Sequence, residues 1–191
     1  MNRRNLGLAG VAAAAGLAGA GVWWKSQPPP TSGTAAGANP VPGIQIASVQ
    51  AEGVVKTFWS ASFDTPDGVP LAMSAFQGKP LLVNFWATWC PPCVEELPLL
   101  NSFYKANKDK SWQLLGLAVD QPSAVRAWLK SKPLDFPVGM AGFGGTELSK
   151  SFGNLSGGLP FSVVFSSTGE LLHRKTGKLT PEDLSLWAKL K

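Results

Sequence analysis

The stretch that decides the fold of this 191-residue chain is Phe85-Trp86-Ala87-Thr88-Trp89-Cys90-Pro91-Pro92-Cys93. It continues an apolar run from Leu81 that is typical of a strand buried on both faces, and a helical pattern follows it. Cys90 therefore falls at a helix N-terminus, where free backbone N–H groups and the helix dipole stabilise a thiolate. Cys93, inside the first turn, is expected to be more shielded. The pattern predicts that Cys90 attacks a substrate disulfide and that Cys93 resolves the mixed disulfide.

Other uses of the two thiols are weaker interpretations. Cys90 and Cys93 are the only cysteines of the chain, and a four-residue disulfide loop removes little entropy from the unfolded state. A zinc site takes about four ligands, whereas this chain adds to its two thiols a single histidine, His173, far away in sequence. The spacing thus favours redox catalysis over a structural disulfide or a metal site.

The N-terminus has the pattern of a targeting segment. Arg3 and Arg4 precede an uncharged stretch, residues 6–24, whose helical length of about 28 Å approaches the thickness of a hydrocarbon core, about 30 Å. The positive end predicts that the rest of the chain is exported. Residues 18–20 also resemble a signal-peptide cleavage site, so both an uncleaved anchor and a cleaved signal remain open.

Composition divides the chain into three parts. Residues 1–25 are predicted to be a membrane anchor or signal segment, residues 26–53 a linker rich in Pro, Gly and Ala, and residues 54–191 the folded domain. The net charge of +5 comes without any run of Lys and Arg interleaved with aromatic residues. We therefore expect no nucleic-acid partner.

Within the domain, strand and helix patterns alternate, which predicts an α/β fold with a mixed sheet. Ser123 is predicted to cap the second of the four helices, and Thr180 with Pro181 to start the last one. Strands are predicted at 58–63, 69–73, 81–87, 112–119, 136–140 (a short edge segment), 161–166 and 170–174, and helices at 93–107, from 123, at 147–152 and from 180.

The Phe85–Cys93 stretch resembles the active-site segment of thioredoxin-like proteins. Pro98 matches their helix-kinking proline, and Gly158-Leu159-Pro160 resembles the cis-proline loop that faces their active site. With the N-terminal segment, the pattern is similar to the exported TlpA-like and ResA-like reductases. The resemblance implies a thioredoxin fold, with a central mixed β-sheet flanked by helices and an N-terminal β-hairpin extension. It also implies delivery of reducing equivalents to extracytoplasmic disulfides, for example in cytochrome maturation.

The same resemblance implies roles for particular residues. Leu159 would offer backbone hydrogen bonds to a bound substrate segment and Pro160 would follow a cis peptide bond. Trp89 and Pro91 would complete the substrate-binding surface. From their positions beside the two cysteines, Trp86 and Trp89 are expected to form the apolar rim of the site. Thioredoxin carries a buried Asp where this chain has Asn84, and ResA-like members carry a Glu where this chain has Glu96. Glu96 is therefore the candidate proton acceptor for Cys93.

Partners and alternatives follow from this interpretation. We expect disulfide-containing exported proteins as substrates, a membrane electron donor of the DsbD/CcdA type, membrane association through the N-terminal segment, and no cofactor. A disulfide-forming oxidase remains open, because direction depends on the redox potential. A copper-binding thiol chaperone is less favoured, since Met73, Met140 and His173 are not grouped in sequence. A peroxidase of the peroxiredoxin type is disfavoured, because such enzymes need a Thr three residues before the reactive cysteine, whereas Thr88 is two residues before Cys90.

Overall fold

The computed structural model describes residues 52–110 and 112–190. The predicted anchor or signal segment, 1–25, and nearly all of the predicted linker lie outside these residues. In the part of the chain that is described, no helix is both long and apolar enough to cross a membrane.

A seven-stranded mixed sheet forms the centre of the domain, with its strands in the order β2-β1-β5-β4-β3-β6-β7. β3, β4 and β5 are parallel, and all other neighbours in the sheet are antiparallel. The carboxyl ends of the three parallel strands therefore lie at one edge of the sheet. The strands are β1 (Ser62–Asp64), β2 (Pro70–Ala72), β3 (Leu81–Trp86), β4 (Gln113–Ala118), β5 (Val138–Met140), β6 (Phe161–Phe165) and β7 (Leu171–Thr176).

Among residues 52–110 and 112–190, five α-helices cover the two faces of this sheet. The apolar cluster on one face contains buried side chains of α2, α3 and α5, and the cluster on the other contains those of α1. The helices are α1 (52–60), α2 (Pro91–Asn107), α3 (Pro122–Ser131), α4 (Gly144–Ser151) and α5 (Pro181–Trp187). The predicted α/β class, the central mixed sheet and the β1–β2 hairpin are confirmed.

Side chains of β3 alternate between the two faces, as the pleat of a strand requires. Leu82 and Trp86 belong to the cluster under α2, whereas Val83 and Phe85 belong to the cluster on the opposite face. Asn84 shares the parity of Leu82 and Trp86, so it points toward α2. A fully buried central strand thus delivers one polar side chain to the helix that carries the two cysteines.

Two strand predictions need correction. Residues 58–63 were expected to form a strand, but residues 52–60 are helical and the strand begins at Ser62. Phe58 and Trp59 are adjacent in sequence and belong to the same apolar cluster. A helical face allows this, whereas successive side chains of a strand point to opposite faces. The segment 136–140 is not at an edge either, because β5 lies between β1 and β4.

One helix start also differs from its prediction. Gln121, not Ser123, is the N-cap residue of α3, and Pro122 occupies the first helical position. Proline fits this position because the N–H that it lacks would have no partner within the helix. The predicted start of α5 is confirmed, with Thr180 as N-cap residue in a reciprocal capping box with Asp183.

Candidate active site

Cys90 and Cys93 join in a disulfide at the junction of β3 and α2, with an S–S distance of 2.08 Å and a Cα–Cα distance of 5.3 Å. Cys90 is the N-cap residue of α2, and Pro91 and Pro92 occupy its first two positions. The prolines cost no helical hydrogen bond there, because those N–H groups would be free in any helix. The geometry places the Cys90 sulfur at the positive end of the helix dipole.

The two sulfurs differ in access to solvent. Cys90 is 5% exposed and Cys93 is fully buried, in the order that the sequence predicts. Trp89 is 65% exposed and Pro91 is exposed as well, so both lie on the surface beside Cys90. Trp86 is fully buried and stacks edge-on against Trp128, so the expectation that it forms part of the apolar rim is wrong.

A buried carboxylate holds the loop that leads into Cys90. Asp120, which is 7% exposed, follows β4 and accepts hydrogen bonds from the Thr88 amide at 2.8 Å and the Thr88 hydroxyl at 2.6 Å. Its other oxygen accepts the Gln121 amide at 2.7 Å. The Cys90 amide closes a turn onto the Ala87 carbonyl at 3.3 Å. Asp120 thus ties the turn before the nucleophile to the neighbouring strand end.

Glu96 lies one helical turn beyond Cys93 and is only 1% exposed. Its Oε1 accepts a hydrogen bond from Nδ2 of Asn84 at 2.7 Å, and its Oε2 accepts the Leu179 amide at 2.7 Å. Nδ2 of Asn84 also donates to Oγ of Ser162 at 3.0 Å. Asn84 and Ser162 are register partners on β3 and β6. The fold thus brings together the carboxylate of Glu96, the amide of Asn84 and the hydroxyl of Ser162.

Burial raises the pKa of Glu96 above its ordinary value of 4.5. The hydrogen bonds from Leu179 and Asn84 and the charges of Lys178 and Lys175 act in the opposite direction without cancelling the cost of desolvation. A carboxyl whose pKa is raised toward neutrality is better matched to exchanging protons with a thiol than one that is always ionised.

The Leu159–Pro160 peptide bond is cis, as the resemblance to thioredoxin-like proteins implies. The Pro160 carbonyl accepts the Gly177 amide at 2.8 Å, which joins the loop before β6 to the end of β7. Leu159 packs against the apolar cluster that contains Cys90 and Cys93. Substrate binding by Leu159, Pro160, Trp89 and Pro91 stays a prediction.

No group of three or more His, Cys, Asp or Glu side chains within residues 52–110 and 112–190 is arranged to hold a metal ion.

Comparison with known proteins agrees with this geometry. A family profile described as Redoxin matches residues 44–188. The chain belongs to the Redoxin family. Among its relatives is the thiol-disulfide oxidoreductase ResA of Bacillus thuringiensis subsp. konkukian, 32% identical over 64% of this chain and 69% of the relative. The sporulation thiol-disulfide oxidoreductase A of Bacillus subtilis is 31% identical over 58% of this chain and 67% of the relative.

Solved structures of similar Redoxin-like chains share the fold. A thiol:disulfide interchange protein of the thioredoxin family from Chlorobium tepidum is 32% identical, with a TM-score of 0.59 over 68% of this chain and 91% of that one. StoA from Bacillus subtilis is 28% identical, with a TM-score of 0.56 over 68% and 96%. This Redoxin chain is a ResA-like, thioredoxin-fold thiol–disulfide oxidoreductase.

Two polar residues of this Redoxin site were not found from the sequence. Asp120 ends an ordinary buried strand pattern, and Ser162 lies within one, so neither stands out by composition. Both become visible only through the sheet, which sets β4 and β6 on either side of β3. The Ala87–Cys90 turn and the Glu96 contacts depend on these neighbours.

Proposed function

We propose that this chain reduces disulfide bonds of exported proteins on the extracytoplasmic side of the membrane. The Cys90 thiolate attacks one substrate sulfur, so that a mixed disulfide forms and the second substrate sulfur leaves as a thiolate. Cys93 then attacks Cys90, which releases the first substrate sulfur and forms the Cys90–Cys93 disulfide. Two electrons pass from the enzyme to the substrate disulfide. One substrate thiolate takes up the proton that Cys93 loses, and the other takes a proton from solvent, which received the Cys90 proton when the thiolate formed.

The observation that carries this proposal is the asymmetry of the dithiol. Cys90 is at the N-cap of α2 with some access to solvent, and Cys93 is fully buried one turn from Glu96. This arrangement supports an attacking thiolate stabilised at a helix N-terminus and a resolving thiol with a carboxylate acceptor nearby. In this role Glu96 receives the proton of Cys93 as Cys93 attacks the mixed disulfide.

The reducing direction is favoured by the TlpA-like pattern of the sequence and by the short connections of the domain. Within residues 112–190, α3 has 10 residues and α4 has 8, and neither is part of a helical insertion of the kind found in DsbA-like oxidases. The oxidised dithiol is recharged by a membrane electron donor of the DsbD/CcdA type. Cytochrome maturation is the process in which such a reductase serves.

Substrate recognition is assigned to the surface beside Cys90. Trp89 and Pro91 offer exposed apolar area next to the reacting sulfur. The backbone of Leu159, before the cis Pro160, supplies hydrogen bonds to an extended substrate segment. Residues 1–25 hold the chain at the membrane or direct its export.

Trapping tests the assignment of the two sulfurs. A Cys93→Ala variant accumulates mixed disulfides with its substrates, because Cys90 still attacks and nothing resolves the product. A Cys90→Ala variant traps none, and Cys90→Ala/Cys93→Ala is the control for non-specific capture. The measurement is non-reducing electrophoresis of extracytoplasmic fractions, followed by mass spectrometry. Trapping through Cys93 instead of Cys90 contradicts the assignment.

The redox potential tests the direction. The full chain is equilibrated with defined ratios of reduced and oxidised dithiothreitol, and free thiols are counted by alkylation and intact mass. We expect a midpoint nearer to the roughly −270 mV of thioredoxin than to the roughly −120 mV of DsbA. A value near that of DsbA supports a disulfide-forming oxidase and contradicts the proposal.

Fusion of reporters at Lys191 tests the location. A reporter that is active only after export is expected to be active, whereas one that is active only in the cytoplasm is expected to be silent. Carbonate extraction then separates an uncleaved anchor from a cleaved signal segment. Activity of the cytoplasmic reporter contradicts export.

A further inference from the structure

Three fully buried polar side chains from separate elements meet beneath the dithiol. Nδ2 of Asn84 on β3 donates both to Oε1 of Glu96 on α2 and to Oγ of Ser162 on β6. The Oδ1 atom of the same amide is buried and has no hydrogen-bond partner among the described residues. The NH₂ group of Asn84 therefore donates two hydrogen bonds, whereas its carbonyl oxygen accepts none from the part of the chain that the structure describes.

The unpaired Oδ1 atom of Asn84 is significant because Asn84, Glu96 and Ser162 differ in whether they can donate or accept hydrogen bonds. An ionised carboxylate only accepts hydrogen bonds, whereas a protonated one also donates. A serine hydroxyl rotates to donate or accept, and an amide donates from one end and accepts at the other. With Glu96 ionised, the observed orientation of Asn84 is the matching one. When Oε1 of Glu96 carries a proton, the same orientation places the N–H of Asn84 against the O–H of Glu96, two donors with no acceptor between them.

We propose that Asn84 is a positioning residue whose side-chain amide turns over when Glu96 gains or loses its proton. After the turn, Oδ1 of Asn84 accepts from the protonated Oε1 of Glu96 and from the Ser162 hydroxyl. The Leu179 amide continues to donate to Oε2, so the carboxyl group stays in place. An Asp at position 84 lacks a donor for the ionised state of Glu96, and a Leu lacks both a donor and an acceptor.

This inference rests on the proposed function, in which Glu96 takes the proton of Cys93. In that step the Cys93 S–H bond breaks, its proton moves to Oε1 of Glu96, and the Cys93 thiolate displaces the substrate sulfur from Cys90. The departing substrate thiolate is neutralised when Glu96 gives this proton up. Glu96 is thus ionised before and after each turnover, and the amide of Asn84 turns twice.

Two lysines are the charged groups that act on the pKa of Glu96. Lys175 and Lys178 favour its ionised form, and they pair with Asp183 and Glu95 respectively. β3 and β6 present only the neutral Asn84 and Ser162 to it. On α2 itself, Cys93 is the titratable group one turn away.

Side-chain NMR of Asn84 is the direct test. The reduced full chain in mild detergent is titrated while the Nδ2–H₂ signals of Asn84 and the carboxyl carbon of Glu96 are followed. We expect both sets of signals to move with one midpoint, and we expect Glu96→Gln to abolish the movement at Asn84. Asn84 signals that stay constant while Glu96 titrates overturn the proposal.

Kinetics of the variants provide a second test. Asn84→Asp is expected to slow release of the mixed disulfide about tenfold or more, with attack by Cys90 unchanged. Ser162→Ala leaves the Asn84–Glu96 contact in place and is expected to stay near the wild-type rate. Equal rates for Asn84→Asp and wild type overturn the proposal. Absence of attack by Cys90 in the wild-type chain, in contrast, contradicts the proposed reductase function itself.

Discussion

Glu95 and Glu96 are neighbours on α2 with opposite surroundings. Glu95 is exposed and pairs with Lys178 across 2.7 Å, whereas Glu96 is buried and its two oxygens accept from Asn84 and Leu179. A surface ion pair contributes little and is screened by salt. Burial instead raises the pKa of the Glu96 carboxyl. Substitution of the exposed Glu95 is therefore a matched control for substitution of the buried Glu96.

We predict that Glu96→Gln slows release of the mixed disulfide without preventing its formation. General bases contribute roughly 10²–10⁴-fold, but a thiol with a pKa near 8.5 already ionises close to neutral pH, so the loss is expected near the lower end. Single-turnover reduction of a small disulfide across pH measures the effect, with Glu95→Gln as the matched control. Identical pH profiles for the two variants and wild type would show that Glu96 has no part in proton transfer.

Much of the site could be predicted at this scale. The CxxC spacing at a strand–helix junction indicates Cys90 and Cys93, and the resemblance to ResA-like chains indicates Glu96 as the candidate proton acceptor. The contact between Glu96 and Asn84 was not predicted. Ser162 and Asp120 could not be predicted, because each acts through pairing between strands that are far apart in sequence. Local patterns report burial and periodicity, whereas these contacts depend on sheet order.

At the scale of elements, the turn between β3 and α2 is stabilised by a residue that follows another strand, β4. Asp120 accepts both donors of Thr88, so the end of β4 fixes the turn from Ala87 to Cys90. The carboxylate is nearly inaccessible to solvent, and water therefore cannot readily replace a lost donor. The entry of the chain into α2 consequently depends on a hydrogen bond that neither β3 nor α2 supplies.

We predict that Thr88→Val destabilises the oxidised protein by about 1.5–3 kcal/mol, because a buried charged acceptor loses one of its donors. Thr88→Ser keeps the hydroxyl and should retain most of the stability. Guanidinium unfolding of the oxidised chains gives the difference in the free energy of unfolding. Thr88→Val and Thr88→Ser variants of equal stability would contradict a role for this hydroxyl.

Elements with strong local signals were predicted well. The continuous apolar run gave β3, and the Thr180-Pro181 start with Asp183 gave the capping box of α5. The prediction at α1 failed, because Phe58 and Trp59 continue a helical face that begins with Val54 and Val55, which pack against the same apolar cluster. Phe58 stacks on Phe165, and the Trp59 indole donates to the Gly169 carbonyl at 2.8 Å. Such long-range packing overrides a short alternating pattern.

For the whole molecule, the raised pKa of Glu96 links protonation to stability. The unfolded chain loses this proton near 4.5, whereas the folded chain keeps it to higher pH. The folded state therefore binds more protons in this window, and its stability falls as pH rises from 4.5 through the raised pKa. Below 4.5 the contribution is fully present.

We predict that Glu96→Gln flattens this part of the stability profile. The measurement is denaturant unfolding of the oxidised wild type and variant at a series of pH values from 4 upward. The difference between the two free energies of unfolding should change in favour of the variant as pH rises. A pH-independent difference would show that Glu96 has the same pKa in both states.

The margins of the sheet determine how the molecule meets other polypeptides. One margin is β2, three residues long and beginning with Pro70, which has no N–H to offer. The other is β7, which exposes His173 and Arg174 along its length. Short strands, proline and charged side chains discourage an incoming chain from adding itself as a further strand. Both margins are thereby protected from adding a strand of another polypeptide, and contact with a disulfide-containing protein substrate is left to the corner where the sulfurs lie.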